Sequence, residues 1–271
     1  MGRSGRPDIA TLGGFLLAAG GVVGGLILEG GRIADIAQQT AAMIVLGGTL
    51  GAVLVSSPLA TIRGACRRFG SVLFEKRSSA AEMIEEIIGY AVKARKSGLV
   101  SLEEEAERAS HPSLRKALQL AVDGTDMQEI RTVMELDIAM EEACAESEAK
   151  VFEAAGGYAP TIGILGAVMG LIQVMKDLSD IEKVGHGIAV AFVATIYGVG
   201  IANLFFLPAA SKIRARAAEE SQLRELALEG VLSLVEGLNP KLIRSKLEAY
   251  SSGAARQESS TRVSRQAVYE G

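Results

Sequence analysis

The sequence is short of the residues that chemistry usually needs. Its 271 residues include only two cysteines, Cys66 and Cys144, and two histidines, His111 and His186. So few cysteines exclude a disulfide scaffold. The four residues also lack the spacing of a zinc site. There is no HExxH, no Gly-x-Ser-x-Gly and no P-loop, which argues against the enzymes those motifs mark. A net charge of −4 offers no electrostatic footprint for nucleic acid. The most telling absence is local. No Asp, Glu, Lys or Arg occurs in Ile9–Leu28, Ile36–Ile62, Ala154–Met175 or His186–Ser211.

What is present fits those gaps. Hydrophobic residues make up 49% and charged residues 22%, with a mean hydropathy of +0.28. The two kinds are segregated along the chain, as in a membrane protein. A helix rises about 1.5 Å per residue, so about 20 residues cross a hydrocarbon core. Each uncharged stretch is long enough. The first is too long for a signal peptide and three more follow. Lys and Arg cluster before the first span (Arg3, Arg6), after the second (Arg63, Arg67, Arg68, Lys76, Arg77) and after the fourth (Lys212, Arg214, Arg216). The hairpin loops hold only Arg32, Lys176 and Lys183. The positive-inside rule then predicts both termini and the long middle segment in the cytoplasm.

The expected class is an all-α integral membrane protein of four transmembrane helices with long helical cytoplasmic extensions. The segments are 1–62 (two spans), 63–153 (cytoplasmic), 154–211 (two spans), 212–250 (cytoplasmic helices) and 251–271, a Ser-, Ala- and Arg-rich tail expected to be disordered. In the cytoplasm, Ser79 to Ser97 reads as a helix stopped by Gly98. Ser101 with Glu104 forms a capping-box pattern, and His111-Pro112 breaks the helix that follows. Thr125-x-x-Gln128 reads as another start. That helix is expected to run into the third span with a break or bend near Gly156-Gly157. The fourth span is expected to continue to Glu236 and stop at Gly237, with Asn239-Pro240 opening a last helix. The pattern shows no soluble domain with a large core of its own.

The spans lack the Asp, Glu or His of a proton relay, except His186 at an outer boundary, which reads as a loop residue. They are rich in small residues instead. Gly20-x-x-x-Gly24, Gly47-x-x-x-Gly51 and Gly166-x-x-x-Gly170 have close-packing spacing. Pro160, Gly163, Ala167 and Gly170 share one face of the third span, and Ala191, Thr195, Gly198 and Ala202 form a similar strip on the fourth. Ala167 and Thr195 lie roughly 18 and 20 Å from the inner surface, and Thr161 about 9 Å. Pro160 and Pro208 mark the cytoplasmic ends, where a missing N–H frees carbonyls or bends a helix. Each Thr can equally be bonded back to its own helix. Tyr197 and Asn203 read as helix glue. If ions pass this wall, a partner must bring the carboxylate.

Three segments, with a fourth near the C-terminus, resemble the MotA family, the larger stator subunit of the bacterial flagellar motor, within the MotA/TolQ/ExbB superfamily. They are Tyr158-Ala-Pro-Thr-Ile-Gly-Ile-Leu-Gly-Ala-Val-Met-Gly170, Ala194-Thr195 through Pro208, Ala94-Arg-Lys-Ser-Gly-Leu-Val-Ser-Leu-Glu103, and Glu236-Gly-Leu-Asn-Pro-Lys-Leu-Ile243. The likeness covers roughly residues 8–250. It implies a homopentamer around two single-span MotB-type helices (a 5:2 complex), each helix carrying an essential Asp. It implies inward proton flow across the bacterial inner membrane, with torque delivered to the rotor protein FliG. No enzyme activity, cofactor or metal is implied, and lipid is the surrounding medium. Pro160, Thr161, Ala167, Thr195 and Pro208 match the ion pathway and coupling positions. Arg95 and Glu103 match the rotor-binding charges, which composition alone would read as a solvated helix. Their spacing of eight turns them about 80° apart on one straight helix, and Gly98 allows a break. Sodium-type relatives tend to carry Thr where this chain has Ala167. Sodium needs oxygen ligands, so Ala167 weighs toward protons, with a sodium-driven stator as the alternative. An ExbB/TolQ-like motor typically has three spans, and a secondary transporter needs a substrate site that is not visible here.

Overall fold

The computed structural model describes residues 6–72, 74–75, 79–176 and 178–251. The expected tail therefore lies outside the described residues from 252 onward. Beyond a two-residue antiparallel pair, β1 (Arg6–Pro7) with β2 (Phe74–Glu75), the described regular structure is helical. Among the described residues four helices are long and apolar enough to cross a membrane. They are α1 (Ile9–Leu28), α2 (Gln39–Ser56), and parts of α7 (Met127–Lys176) and α8 (Ile181–Val235). Between them lie α3 (Leu59–Val72), α4 (Ala80–Ser97), α5 (Glu103–Arg108) and α6 (Pro112–Val122). Residues 240–251 are helical again (α9). The all-α, four-span class holds.

The second span differs from expectation at both ends. Ile36 closes a separate turn, Ile33–Ile36. At the other end Ser57 is extended, with φ −134° and ψ 139°. The ring of Pro58 crowds the residue before it and keeps it out of the helical region. The chain restarts as the amphipathic helix α3, so residues 59–62 belong to α3. The third span brings another correction. Helix α7 runs unbroken through Gly156-Gly157. The glycine is there for close approach: a Cβ at Gly156 would meet the Leu207 side chain at 2.6 Å. Helix α8 continues past the fourth span as expected, with one π-helical turn at Ala202–Phe206, and Gly237 turns away with φ +70°.

The chain divides into two units. The first comprises residues 1–76 and 144–216. Its membrane part is held by backbone approach between the third and fourth spans. A methyl at Gly163 would lie 2.9 Å from the Ala194 carbonyl, and one at Gly198 would lie 2.5 Å from the Ala159 carbonyl. Gly170 meets Gly187 and Ala191 in the same way. Apolar helices in lipid gain little from simple burial, so such close contact supplies the cohesion. Among the described residues, of the three expected Gly pairs only Gly166 and Gly170 pack within the chain. No described residue lies within 4 Å of a Cβ at Gly20, Gly24, Gly47 or Gly51. Val53, Phe152, Ala155, Ala209 and Ile213 form a cluster, with Phe69 and Phe205 packed edge to face at 5.4 Å.

The second unit comprises residues 77–143 and 217–271. Here the structure overturns an expectation, because this unit has a substantial core of its own. Ile87, Leu102, Leu114, Leu118, Ile130 and Leu232 are buried together, and Leu247 of α9 closes them. Several short amphipathic stripes contribute, and no single one announces the sum. Cap residues also shift by one. Asp126, not Thr125, caps α7, accepting the Gln128 N–H at 2.9 Å. His111 breaks the chain as expected and caps α6, its Nδ1 accepting the Ser113 N–H at 3.2 Å. Asn239 caps α9 as expected, accepting the Lys241 N–H at 3.0 Å.

The glycine seam is testable. Gly163→Ala and Gly198→Ala should each cost about 1–3 kcal/mol by overpacking. Gly200→Ala, which meets nothing within 4 Å, should not. Thermal unfolding midpoints in detergent will separate the two groups, and equal midpoints would refute the seam.

Candidate functional site

The wall is built on the seam. Pro160 lies inside α7 without interrupting it. Its missing N–H leaves the Gly156 carbonyl without the usual partner one turn on. Pro208 lies just beyond the π turn of α8, where a wider turn eases the meeting of ring and preceding carbonyl. Thr161 is exposed, and its hydroxyl donates to the Tyr158 carbonyl at 2.8 Å. Thr195 is half-buried and donates to the Ala191 carbonyl at 3.2 Å. Both hydroxyls are thus bonded back to their own helices, which leaves their lone pairs as acceptors.

The two expected strips divide. Gly163, Gly170, Ala191, Gly198 and Ala202 are buried, while Pro160, Ala167 and Thr195 stand half-buried at the margins. A Cβ added at Gly166 would lie 2.9 Å from the Ala194 methyl. This contact places the next residues, Ala167 and Thr195, at one level, as the depth count expected. Beside them Ile164, Val168, Phe192 and Ile196 are exposed. Tyr197 does act as glue: its hydroxyl donates to the Ile36 carbonyl at 2.5 Å and accepts the Gln38 N–H at 3.3 Å. Asn203 instead donates to Val199 of its own helix at 2.9 Å.

The second group of candidate residues forms a prong on the second unit. Helix α4 ends at Gly98, whose φ of +81° suits glycine. A 3₁₀ turn, Leu99–Leu102, leads into α5. The expected Ser101–Glu104 capping box does not form. The Ser101 hydroxyl turns back to the Gly98 carbonyl at 2.7 Å, and Leu102 stands at the cap position. Lys93 and Glu105 clamp the two helices at 2.5 Å, and the Lys93 ammonium holds the Glu105 carboxyl below the usual carboxylate range. Glu86 accepts the Ser110 N–H at 3.0 Å and the Tyr90 hydroxyl at 2.6 Å. Arg95, in the last turn of α4, and Glu103, first in α5, are exposed. Each has the sign its helix end favours. No ion pair of either appears among the described residues.

Sequence reasoning missed a set of charges flanking the spans. Asp8 caps α1, accepting the N–H groups of Ala10 and Thr11 at 3.1 and 3.3 Å. It also pairs with Lys212 at 2.7 Å and Arg216 at 3.3 Å. The Lys212 ammonium, with the Thr11 bonds, holds its carboxyl well below the usual range. Asp just before an apolar run was a readable cap signal; its long-range partners were not. Arg214 binds Glu146 through two bonds at 2.8 and 2.9 Å and reaches Glu153 at 2.5 Å. Arg68 pairs with the buried Glu148.

Fold and wall together define a multi-pass membrane protein whose spans carry no titratable carboxylate. The comparisons agree. Residues 105–226 match the model of the MotA/TolQ/ExbB proton channel family, and residues 12–97 match that of the motility protein A N-terminal region. The chain is 36% identical to motility protein A of Bacillus subtilis (strain 168), over 90% of each chain. Its structure is similar to that of C. jejuni MotAB (TM-score 0.86, 28% identity, 90% of this chain and 95% of that one). It is also similar to the flagellar MotAB stator complex from Bacillus subtilis (TM-score 0.83, 35% identity, 89% and 95%). The chain belongs to the MotA/TolQ/ExbB proton channel family. Such a protein is a multi-pass ion-channel subunit, not an enzyme.

Asp8 lets cap and ion pairs be separated. Asn caps as well as Asp, so Asp8→Asn removes only the charge, while Asp8→Ala loses about 1 kcal/mol more. A depressed carboxylate pKa stabilises the fold above the unfolded value, and this is lost only as pH falls through the lower folded value. The unfolding-midpoint deficit of Asp8→Asn should therefore stay constant from about pH 5.5 to 8. A deficit that shrinks within that range would refute the pairing.

Proposed function

We propose that the chain is the larger stator subunit of a bacterial flagellar motor. With a MotB-type single-span partner it couples inward proton flow across the inner membrane to torque on the rotor protein FliG. The observation that carries this reading is the wall itself. Its spans hold no ionisable carboxylate or amine, so the ion-carrying carboxylate must come from a second chain. Thr161, Ala167 and Thr195 border the path, and Pro160 and Pro208 couple the partner's protonation to helix movement. The transmembrane ion gradient is the energy source, and no cofactor is required.

Five copies around two partner helices fit the surfaces left open. On α7, Leu136 and Met140 are 61% and 66% exposed one turn apart, an apolar pair suited to a neighbouring copy. The match of residues 12–97 to a motility-protein region favours the flagellar motor over an ExbB/TolQ-like one. The absence of a hydroxyl at Ala167 favours protons over sodium. Both termini, 63–153 and 212–250 lie in the cytoplasm, with 1–62 and 154–211 as the membrane pairs. Arg95 and Glu103 engage the rotor.

Purified chain without its partner should give no ion flux in vesicles, and robust flux would overturn the partner-carboxylate reading. In cells, swimming should stop with an uncoupler and persist without sodium. Sodium dependence would overturn the proton assignment. Arg95→Glu and Glu103→Lys should each lower motor torque several-fold while membrane assembly stays normal. Loss of assembly instead would mean that these charges serve the fold.

A further inference from the structure

Val100 has no role in the reading above, and its setting is unusual. It is 69% exposed, more than any other large apolar side chain among the described residues of the second unit; Met140 and Leu136 follow at 66% and 61%. Looseness does not explain this. Val100 sits in the 3₁₀ turn Leu99–Leu102, where residues three apart align on one face. Leu102 is fully buried and Leu99 half-buried on that face, which turns Val100 outward. The Ser101 bonds to the Gly98 carbonyl and the Lys93–Glu105 clamp fix the turn. Arg95 and Lys96 precede it, and Glu103 and Glu104 follow it.

We propose that Val100 is the apolar anchor of the prong, buried on docking by a rotor protein surface that presents an acidic group toward Arg95, a basic group toward Glu103 and an apolar hollow between. This deepens the stator reading and rests on it. Exposed ion pairs are weak and screened by salt, so the two charges give selectivity and register with little hold. A side chain desolvated at the centre of a charged rim supplies the hold. A lipid surface suits the site poorly, because Glu103, Glu104 and Glu107 would meet anionic headgroups. A second copy of this chain is the other conceivable occupant.

The test uses the full stator complex in swimming cells. Val100→Ser should lower torque at high load several-fold, with complex assembly and ion conduction unchanged, and Val100→Ile should restore it. Because Val100 is exposed, folding should not be affected. A photo-crosslinking residue at position 100 should capture the rotor protein. Wild-type torque in Val100→Ser overturns the anchor, and so does a crosslink only to a second copy. Arg95→Glu and Glu103→Lys in the same strain separate the two levels. If they lower torque and Val100→Ser does not, only the anchor fails. If none has an effect, the rotor-facing reading fails with it.

Discussion

Two apolar helices in lipid have little reason to associate, because lipid tails serve their side chains as well as a neighbour does. Much of the membrane part follows from how this chain meets that constraint. The third and fourth spans come together where glycine lets backbone touch backbone, at Gly163 against Gly198 and at Gly170 against Gly187 and Ala191. The contact needs small, uncharged residues, and it fixes the helices in level. Ala167 and Thr195 face one depth because Gly166 and Ala194 meet beside them. The same requirement explains the lack of charge. A carboxylate on the seam would need a partner inside a contact too close to hold one.

Charge excluded from the spans reappears flanking them in the first unit, where it ties together segments distant in sequence. Asp8 joins the start of α1 to α8 through Lys212 and Arg216, and Arg214 joins α8 to α7 through Glu146 and Glu153. Asp8 is buried, and Glu146 and the three cations are half-buried, so these pairs differ from fully exposed ones that contribute almost nothing; Glu153 is exposed. The cations keep some access to water, which limits the desolvation that would penalise a deeper pair.

Much of this was readable in the sequence, for identifiable reasons. The four spans, the Gly98 stop, the His111-Pro112 break and the Asn239 cap are set by local chemistry. What was misread depends on contacts that local pattern does not carry. Gly156-Gly157 suggested a bend, but Gly156 admits the Leu207 side chain. Ser101–Glu104 has the spelling of a capping box, yet Ser101 is drawn to the Gly98 carbonyl that a left-handed glycine presents. The core of the second unit escaped notice because it is assembled from six helical segments, each with only a short apolar stripe. The strips on the third and fourth spans were legible as faces. That their glycines form the seam, leaving Pro160, Ala167 and Thr195 at the margin, needed the structure.

The proposed docking surface on the prong is held ready without an internal partner. Of the charges on either side of Gly98, Lys93 and Glu105 pair with each other. Arg95 and Glu103 do not, and they have no need to. A cation in the last turn of one helix and an anion in the first turn of the next are each stabilised by the helix they sit on. The fold therefore tolerates both as exposed, without an ion pair among the described residues, and opposite in sign across a clamped turn. A docking partner meets charges that need not be pulled out of existing ion pairs, so association there is not opposed by breaking contacts within the chain.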